Sequence, residues 1–263
     1  MQSITHPPLS WIEEHEPLPD PADAWGPESR APGLLAAGDD LSTQRLREAY
    51  SKGIFPWYSQ SQPVLWWSTD PRMVLMVDQF RIHHSFKKTL ASFIKNSSCE
   101  IRFNSDFSTV IQNCAQRPAK KAQTLNAEST HKQEATGGTW ILPQMQTTYQ
   151  EAHQEGFAHS VETWIDGALV GGLYCVSLGK AVFGESMFSL QKDASKIALA
   201  ALVAFCRAHQ IVMIDCQQNT SHLASLGAKE MPRARFIESI KISQQEPAPE
   251  WVFLKDYWHE LFV

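Results

Sequence analysis

The sequence predicts an α+β fold in two parts, a small N-terminal domain over residues 1–72 and a larger domain over residues 73–263. Three observations in the second half support it: strands joined by tight turns in an antiparallel meander, a long apolar helix, and an almost wholly apolar strand after that helix. Helices and strands in this order form layers, with helices packed on a sheet.

The N-terminal segment over residues 1–32 is predicted to be irregular, and the first helix follows it. Residues 1–32 are rich in Pro and acidic residues. Ser42 can cap a helix that carries Leu46 and Tyr50 on one side and ends at Gly53. Large aromatic side chains follow it, namely Phe55, Trp57, Trp66 and Trp67. They either join this domain to the next one or line a binding site, and the pattern leaves both interpretations open.

The middle of the chain predicts two strands and a helix before a polar insertion. MVLMV at 73–77 predicts a buried strand, and a short polar helix around 86–94 and a strand near 100–103 follow. Residues 116–138 are polar and contain four basic residues without an apolar period. This pattern indicates a mobile surface insertion. Its lysines either contact RNA or lie on a solvated loop, and the pattern favours the solvated loop.

A helix and the first strand of the meander follow the insertion. Pro143 suits the first turn of a helix that runs to about Glu155, and Gly156 suits its C′ position. AHSVETWI at 158–165 alternates as a strand. Asp166-Gly167 is then a strong two-residue hairpin turn.

Two more strands and a helix complete the apolar part of the domain. ALVGGLYCV at 168–176 pairs back on the first strand, and a turn at 178–180 leads to AVFGESMF at 181–188. The short turns make the meander antiparallel. Asp193 can cap the helix ASKIALAALVAFCRAHQ, whose aliphatic residues cover more than one face and predict a buried helix.

The C-terminal elements surround one apolar strand. IVMID at 211–215 predicts a strand in the middle of a sheet. A short helix begins at Thr220 or Ser221 and ends at Gly227, and residues 229–236 are predicted to be extended.

Composition narrows the classes of function. The net charge is −5, so nucleic acid would have to bind a local basic patch. We find no secretion signal and no apolar run near the ~20 residues of a membrane span, and expect a soluble cytoplasmic protein. The five cysteines are scattered, which favours reduced thiols, and no histidine spacing predicts a metal site.

The stretch MIDCQQNTSH at 213–222 holds the strongest candidate chemistry. Side chains alternate along a strand, so Asp215 and Gln217 share one face while Cys216 points to the other. This parity argues against a cysteine nucleophile paired with His222. A carboxylate and an amide about 6.5–7 Å apart can hold one small polar centre.

Asp215 and Glu185 each have a purely structural interpretation beside a role in a site. Asp215 ends an apolar strand, where a charge is costly unless it is paired or faces a cleft, and it otherwise caps the following loop. Glu185, in GESMF, otherwise lies at a strand edge facing water. As a pair of semi-buried acids beside an amide, they suit a cationic amine and an acyl transfer.

Several blocks in order resemble the bacterial leucyl/phenylalanyl-tRNA–protein transferases, from about Gly33 to Arg235. The blocks are GLLAAGDDLSTQRLREAYSKGIFPWYS, PVLWWSTDPRMVL, GTWI, EAHQEGFAHSVETW, LVGGLYCV, FGESMFS, DASK and IDCQ with the following H and SLGA. Each block is weak by itself, and the set is highly specific.

The resemblance implies an activity and a fold. The family transfers Leu, Phe and less readily Met from charged tRNA to proteins that begin with Lys or Arg, which marks them for degradation. It implies a C-terminal domain like the GCN5-related acetyltransferases, no metal and no coenzyme A. In agreement, SLQKDASK stands where those acetyltransferases carry a Gly-rich pyrophosphate loop. A monomer is expected.

The resemblance also assigns site residues. Asp215 matches the residue proposed to take the proton of the attacking amine, Gln217 the residue that orients the reacting centre, and Glu185 an acid that supports them. The donor side chain and the terminal adenosine would contact Trp57, Trp140, Leu173 and Ile214. Lys87 and Lys88 match basic positions that face the tRNA body, or else lie on a solvated helix face.

The sequence departs from the family at three places. Asp39 replaces a usual Gly, the alignment of Asn219 is ambiguous, and the insertion at 116–138 is about 17 residues longer than in short members. Two other functions stay open: a small-molecule N-acyltransferase on the same fold, and a non-catalytic module that binds tRNA or peptide. The absent Gly-rich loop and the intact acids argue against them.

Overall fold

The structure, a computed structural model, describes residues 8–116 and 141–262. Within these ranges the helices are α1 Thr43–Ser51, α2 His84–Lys95, α3 Phe107–Ala115, α4 Pro143–Gln154, α5 Ala194–Ala208, α6 Ser221–Ser225 and α7 Arg233–Ser243. The strands are β1 Ser10–Ile12, β2 Leu34–Gly38, β3 Phe55–Pro56, β4 Val64–Trp67, β5 Arg72–Met76, β6 Cys99–Phe103, β7 Ala158–Ile165, β8 Ala168–Leu178, β9 Ala181–Ser189, β10 Met213–Gln217 and β11 Lys229–Met231. The α+β class is confirmed, and no described helix is long and apolar enough to cross a membrane.

Two mixed sheets form the scaffold. The smaller sheet has the order β1-β2-β4-β3 and the larger one β11-β5-β10-β9-β8-β7-β6. In the larger sheet β10 pairs parallel with β9 and antiparallel with β5, and the remaining neighbours are antiparallel. The predicted meander and the central place of β10 are thus confirmed.

The two faces of the larger sheet carry different hydrophobic cores. Along β8, Tyr174 and Val176 belong to one cluster, whereas Leu173 and Cys175 belong to the other. Alternate residues of a strand point to opposite faces, so the clusters lie on opposite sides of the sheet. We call the first the α4 face, because α1, α3, α4 and the smaller sheet pack there, and the second the α5 face, which α2 and α5 cover.

Turn and cap chemistry explains most element boundaries. Ser42 Oγ accepts a hydrogen bond from the Arg45 amide at the start of α1, as predicted. Asp166 and Gly167 both have positive φ, at 50° and 74°, which suits the predicted two-residue hairpin. Gly156 ends α4 with φ of 79°, also as predicted.

Two predictions near the C-terminus are wrong. Asp193 precedes α5 but does not cap it: its φ is 62°, outside the extended region that caps use, and its carboxylate pairs with Lys196. The extended segment predicted at 229–236 ends at Met231, because Pro232 starts α7 and Asp70 Oδ1 accepts from the Arg233 amide. Helix α3 and the smaller sheet were not predicted.

Candidate active site

Polar side chains cluster where two central strands separate. β9 and β10 pair only at Val182 with Ile214 and at Phe183 with Asp215. Beyond these pairs the strands continue to Glu185 and Gln217, whose side chains meet: Gln217 Nε2 donates to Glu185 Oε1 at 2.8 Å. The sheet therefore places an acid and an amide together at the point where its hydrogen bonding stops.

Glu185 is held by two buried tyrosines from different helices. The Tyr50 hydroxyl on α1 lies 2.6 Å from Oε1, and the Tyr149 hydroxyl on α4 lies 3.0 Å from Oε2, both within hydrogen-bond distance. The two hydroxyls are themselves 2.6 Å apart. Both tyrosines are fully buried, so each needs a polar partner for its hydroxyl. Glu185 meets that need and becomes tied to the N-terminal part of the chain.

Burial changes the acidity of this group. Loss of hydration raises the pKa of Glu185 from its usual 4.5 to about 7, and hydrogen bonds accepted by its ionised form only partly oppose that rise. The negative charge of Asp215 adds to it. Burial and the nearby carboxylate also raise the pKa of both tyrosines well above 10. Glu185 can thus gain or lose a proton near neutral pH, and the tyrosines stay protonated.

Gln217 takes an unusual backbone conformation that aims its side chain. Its φ is 58°, and the pairing of β10 with β5 shifts register between Asp215 and Gln217. The backbone N–H of Gln217 donates to Asp215 Oδ1 at 2.9 Å, and its backbone carbonyl accepts from Thr69 Oγ1 at 3.0 Å. These two bonds hold a left-handed residue that would otherwise be strained.

Asp215 is fully buried and paired. Arg72 Nε donates to Oδ1 at 2.8 Å and Arg72 Nη2 donates to Oδ2 at 2.7 Å, a bidentate pair that is itself buried. The Arg72 guanidinium lies between the rings of Phe55 and Phe236, 4.7 and 4.6 Å from their centroids. The expectation that Asp215 is only semi-buried is therefore wrong, because β5 supplies a charge partner for it.

The predicted pocket residues do not all lie near this cluster. Leu173 and Ile214 are buried on the α5 face, whereas Tyr50 and Tyr149 lie on the α4 face. Trp57, which directly follows β3 of the smaller sheet, is 40% exposed and packs against Trp67 with ring centroids 5.4 Å apart. Trp57 is the predicted residue whose ring is available at the surface.

Cys216 lies away from the polar cluster, as strand parity predicted. It packs against the α5 face, and burial raises the pKa of its thiol well above the usual value. A thiol of this kind is a poor nucleophile at neutral pH.

The remaining predicted residues divide between the surface and the part outside the described ranges. Lys87 and Lys88 are exposed on α2, and Lys87 lines a surface cavity of about 260 Å³ together with Arg207 and Phe262. Trp140 lies outside the described residues, as does the predicted insertion beyond Gln116.

Sequence reasoning missed Arg72 and Tyr149 and gave Tyr50 only a packing role. A signal for Arg72 exists: a buried acid at a strand end needs a charge partner, and Arg72 directly precedes an apolar strand. Tyr50 and Tyr149 lie on the apolar faces of their helices, where a hydroxyl must find a partner. Which partner it finds depends on the packing of three distant segments.

Comparisons with known proteins agree with each other. The model of the leucyl/phenylalanyl-tRNA protein transferase family matches residues 74–241, and the model of that family's N-terminal domain matches residues 39–70. A leucyl/phenylalanyl-tRNA–protein transferase of Albidiferax ferrireducens is 52% identical over 257 residues, covering 98% of this chain and 96% of the relative. One from Leptothrix cholodnii is 53% identical over 257 residues, covering 96% and 95%. A functionally unknown conserved protein from Staphylococcus epidermidis covers 76% of this chain and 68% of its own with a TM-score of 0.35 and 8% identity, too weak a likeness to carry an argument.

Proposed function

Because this chain belongs to the leucyl/phenylalanyl-tRNA–protein transferase family, we propose that the cluster of Glu185, Gln217 and Asp215 is its active site. The chain is an aminoacyltransferase that moves Leu or Phe from tRNA to the N-termini of proteins. Its two substrates are an aminoacyl-tRNA and a protein, so the site has to bring an ester carbonyl and an amine together.

The contact between Gln217 and Glu185 carries this proposal. An aminoacyl ester is already activated, so orientation and the handling of one proton supply much of the rate. Glu185 and Gln217 meet where β9 and β10 separate, and Glu185 exchanges a proton near neutral pH. Gln217 can orient the ester, and Glu185 can transfer the proton, which are the two functions that this reaction needs.

We assign Asp215 a supporting part in the reaction. The resemblance implies that it takes the proton of the amine, but both of its carboxylate oxygens accept hydrogen bonds from Arg72. Oδ1 also accepts from the Gln217 amide. Asp215, which is fully buried, therefore fixes the conformation of Gln217, whereas Glu185 is only partly buried and is the acid that we assign to the reacting atoms.

The donor would be held by aromatic and apolar groups. Trp57 and Trp140 would stack on the terminal adenosine, where one base on one ring contributes about 1–3 kcal/mol. Leu173 and Ile214 would contact the amino-acid side chain if the gap between β9 and β10 opens toward the α5 face. Lys87 and Lys88 would meet the phosphates of the tRNA body.

Finer points of the family resemblance are part of the same proposal. They are a preference for acceptors that begin with Lys or Arg, use of Met as a slower donor, degradation of the product, a cytoplasmic monomer, and catalysis without metal or coenzyme. The division at residue 72 and an acetyltransferase-like larger domain also belong here. The parallel pair β9 and β10, joined through α5 in a mostly antiparallel sheet, supports that likeness.

One assay tests the proposal. Leu-tRNA is incubated with the protein and a peptide that begins with Arg, and mass spectrometry follows the addition of leucine to the peptide. The parent should modify this peptide and leave unmodified a peptide whose N-terminus is acetylated. Gln217→Ala should lower the rate about 100-fold or more because the reacting centre loses its orientation. Transfer by this variant at the parental rate would refute the site.

A further inference from the structure

The hydroxyls of Tyr50 and Tyr149 and the two carboxyl oxygens of Glu185 form a hydrogen-bonded ring. The distances in this ring determine how many protons it needs. Tyr50 Oη lies 2.6 Å from Glu185 Oε1, Tyr149 Oη lies 3.0 Å from Oε2, and the two hydroxyl oxygens are 2.6 Å apart. All three distances are those of hydrogen bonds. Each contact therefore needs one proton between its two oxygens.

An ionised Glu185 leaves this ring one proton short. A carboxylate only accepts hydrogen bonds, and the hydroxyls of Tyr50 and Tyr149 supply one proton each. Two protons serve two contacts, so one pair of oxygens would face each other with lone pairs alone. A protonated Glu185 supplies the third proton, and all three bonds then run the same way around the ring.

Within residues 8–116 and 141–262, no neighbouring group supplies the missing proton. The Gln217 amide donates to Oε1 from outside the ring, and Asp215 is an acceptor held by Arg72. Tyr174 on β8 packs edge-on against Tyr149, with centroids 5.2 Å apart, and its buried hydroxyl has no partner among the described residues. The third proton must come from Glu185 itself.

We propose that Glu185 holds a proton in the resting enzyme, that Tyr50 and Tyr149 keep it there, and that Glu185 gives this proton to the leaving ribose oxygen of the tRNA. This inference rests on the proposed function. The α-amino nitrogen forms a bond to the ester carbon, and the bond between that carbon and the ribose oxygen breaks. The oxygen gains the proton of Glu185, and the ring regains one from the nitrogen. Glu185 touches the reacting atoms and is the catalytic residue, whereas the two tyrosines are positioning residues.

The pH dependence of stability follows from this arrangement. With a native pKa of about 7 against a usual 4.5, Glu185 binds more protons in the folded than in the unfolded chain between these pH values. The stabilisation is complete below pH 4.5 and is lost as the pH rises through 7. The ring is therefore most stable on the acidic side of neutrality.

Glu185→Gln tests the ring without any tRNA. A glutamine amide donates one hydrogen bond to Tyr149 and its carbonyl accepts one from Tyr50, so it copies the protonated acid. We expect the melting temperature of this variant to equal that of the parent at pH 6 and to exceed it by about 3 °C at pH 8. Glu185→Ala should melt lower at both pH values. A Gln variant as unstable as the Ala variant at pH 6 would overturn the proposal.

Glu162 offers a matched control for this comparison. Glu162 is a fully buried glutamate, whereas Glu185 is partly buried, and each oxygen of Glu162 accepts from a group that can only donate: Oε1 from the amides of Ser105 and Asp106, and Oε2 from Trp164 Nε1. The hydroxyls of Ser105 and Ser160 complete its contacts. An amide NH₂ would face another donor there, so Glu162→Gln should melt well below the parent at both pH 6 and pH 8. The pair of variants separates a site that needs a proton from one that needs a negative charge.

The sign of one spectroscopic shift tests the role of the tyrosines. Infrared difference spectra between parent and Glu185→Gln isolate the carbonyl band of protonated Glu185. We expect this band at pH 6 and its loss above pH 7. In Tyr149→Phe the one ring contact that remains joins Tyr50 to Glu185, and the Tyr50 proton serves it even when Glu185 is ionised. Ionisation of Glu185 then costs less, so the band should disappear at a lower pH than in the parent. If it persists to a higher pH, Tyr149 only donates to a carboxylate and the ring is refuted.

The catalytic step has its own readout. Glu185→Gln should lower kcat for leucine transfer about 100-fold or more, with little change in KM for Leu-tRNA. Transfer at the parental rate would overturn the acid role of Glu185. The infrared and melting experiments do not depend on transfer, so failure of the proposed function in the parent would be seen separately.

Discussion

At the scale of single residues, two buried charges set the geometry of the site. Arg72 and Asp215 form a bidentate pair with both side chains fully buried, and each has lost its hydration. A buried pair of this kind contributes little net stability, but removing one partner leaves an unpaired charge in the interior. Asp215 is therefore needed for folding as well as for the orientation of Gln217.

Asp215→Ala should destabilise the protein by about 3–5 kcal/mol, because the Arg72 guanidinium stays buried without its partner. Urea unfolding followed by tryptophan fluorescence measures this change. Asp193→Asn is the matched control: asparagine tolerates the left-handed backbone of this residue, so only the ion pair with Lys196 near the surface is lost, at a cost of about 1 kcal/mol or less. Equal effects of the two variants would argue against a dominant role of the buried pair.

Removing both charges separates folding from catalysis. The double variant Arg72→Met with Asp215→Leu should regain much of the stability lost in Asp215→Ala, since similar apolar groups replace the pair. It should not regain transfer, because the Gln217 amide then lacks its acceptor. Recovery of transfer together with stability would show that Asp215 acts through folding alone.

Trp57 is exposed, so its replacement should change binding more than folding. Trp57→Ala is expected to raise KM for aminoacyl-tRNA about 10-fold through the loss of one stacking contact. Trp57→Phe keeps an aromatic ring, so its KM should stay close to that of the parent. Trp11 is a control in the smaller sheet, since its side chain is also about half exposed. An equal rise in KM for Trp11→Ala would point to a general effect of the smaller sheet.

At the scale of elements, caps and turns fix where the site residues stand. Helix α1 carries Tyr50 toward Glu185, and its first turn is held by the Ser42 hydroxyl. Asp193 shows the limit of such reasoning: a residue type suited to capping stands before α5, but its left-handed backbone turns the carboxylate toward Lys196. Side-chain type predicts a cap only where the backbone of the capping residue itself is extended.

Ser42→Ala should lower stability by about 1 kcal/mol through the loss of the cap of α1. In a chain of this size such a loss lowers the melting temperature by about 2–4 °C. Ser42→Asn retains a side-chain acceptor and should melt near the parent. If both variants melt alike, the hydrogen bond to the Arg45 amide contributes little to the stability of α1.

At the scale of the whole molecule, one hydrophobic core joins the smaller sheet to the larger one. Leu46, Tyr50 and Phe55 share a cluster with Tyr149 and Phe183, although 94 to 137 positions separate them in sequence. The net charge of −5 gives this body no overall attraction for RNA. Binding of the tRNA body has to depend on local groups such as those on α2.

Replacing Lys87 and Lys88 together by Gln should weaken tRNA binding. The slope of the logarithm of the binding constant against the logarithm of the salt concentration should become less steep by about 1–2, since each phosphate contact releases counterions. Binding measured over a series of salt concentrations gives this slope. Lys241 and Lys255 are exposed as well and form a control pair on other elements. An unchanged slope in the Lys87 and Lys88 variant would place these residues on a solvated helix face.

Short sequence patterns were enough to predict the α+β class, the meander with its turns, most helices and the family. Each of these depends on short spacings: a period of two or 3.6, a glycine with positive φ, or a motif of a few residues. The sequence also predicted that Cys216 faces away from Asp215, because strand parity is local.

The assembly of the site depends on contacts between segments that are distant in sequence. Arg72, Tyr50 and Tyr149 come from three separate segments, and their contacts with Asp215 and Glu185 follow from strand order and helix packing. The pKa of Glu185 near 7 has the same origin, because loss of hydration depends on what surrounds a group and not on its neighbours in sequence. Local sequence patterns thus predict Asp215 and Glu185 as site residues, and tertiary packing raises the pKa of Glu185 so that it can hold a proton near neutral pH.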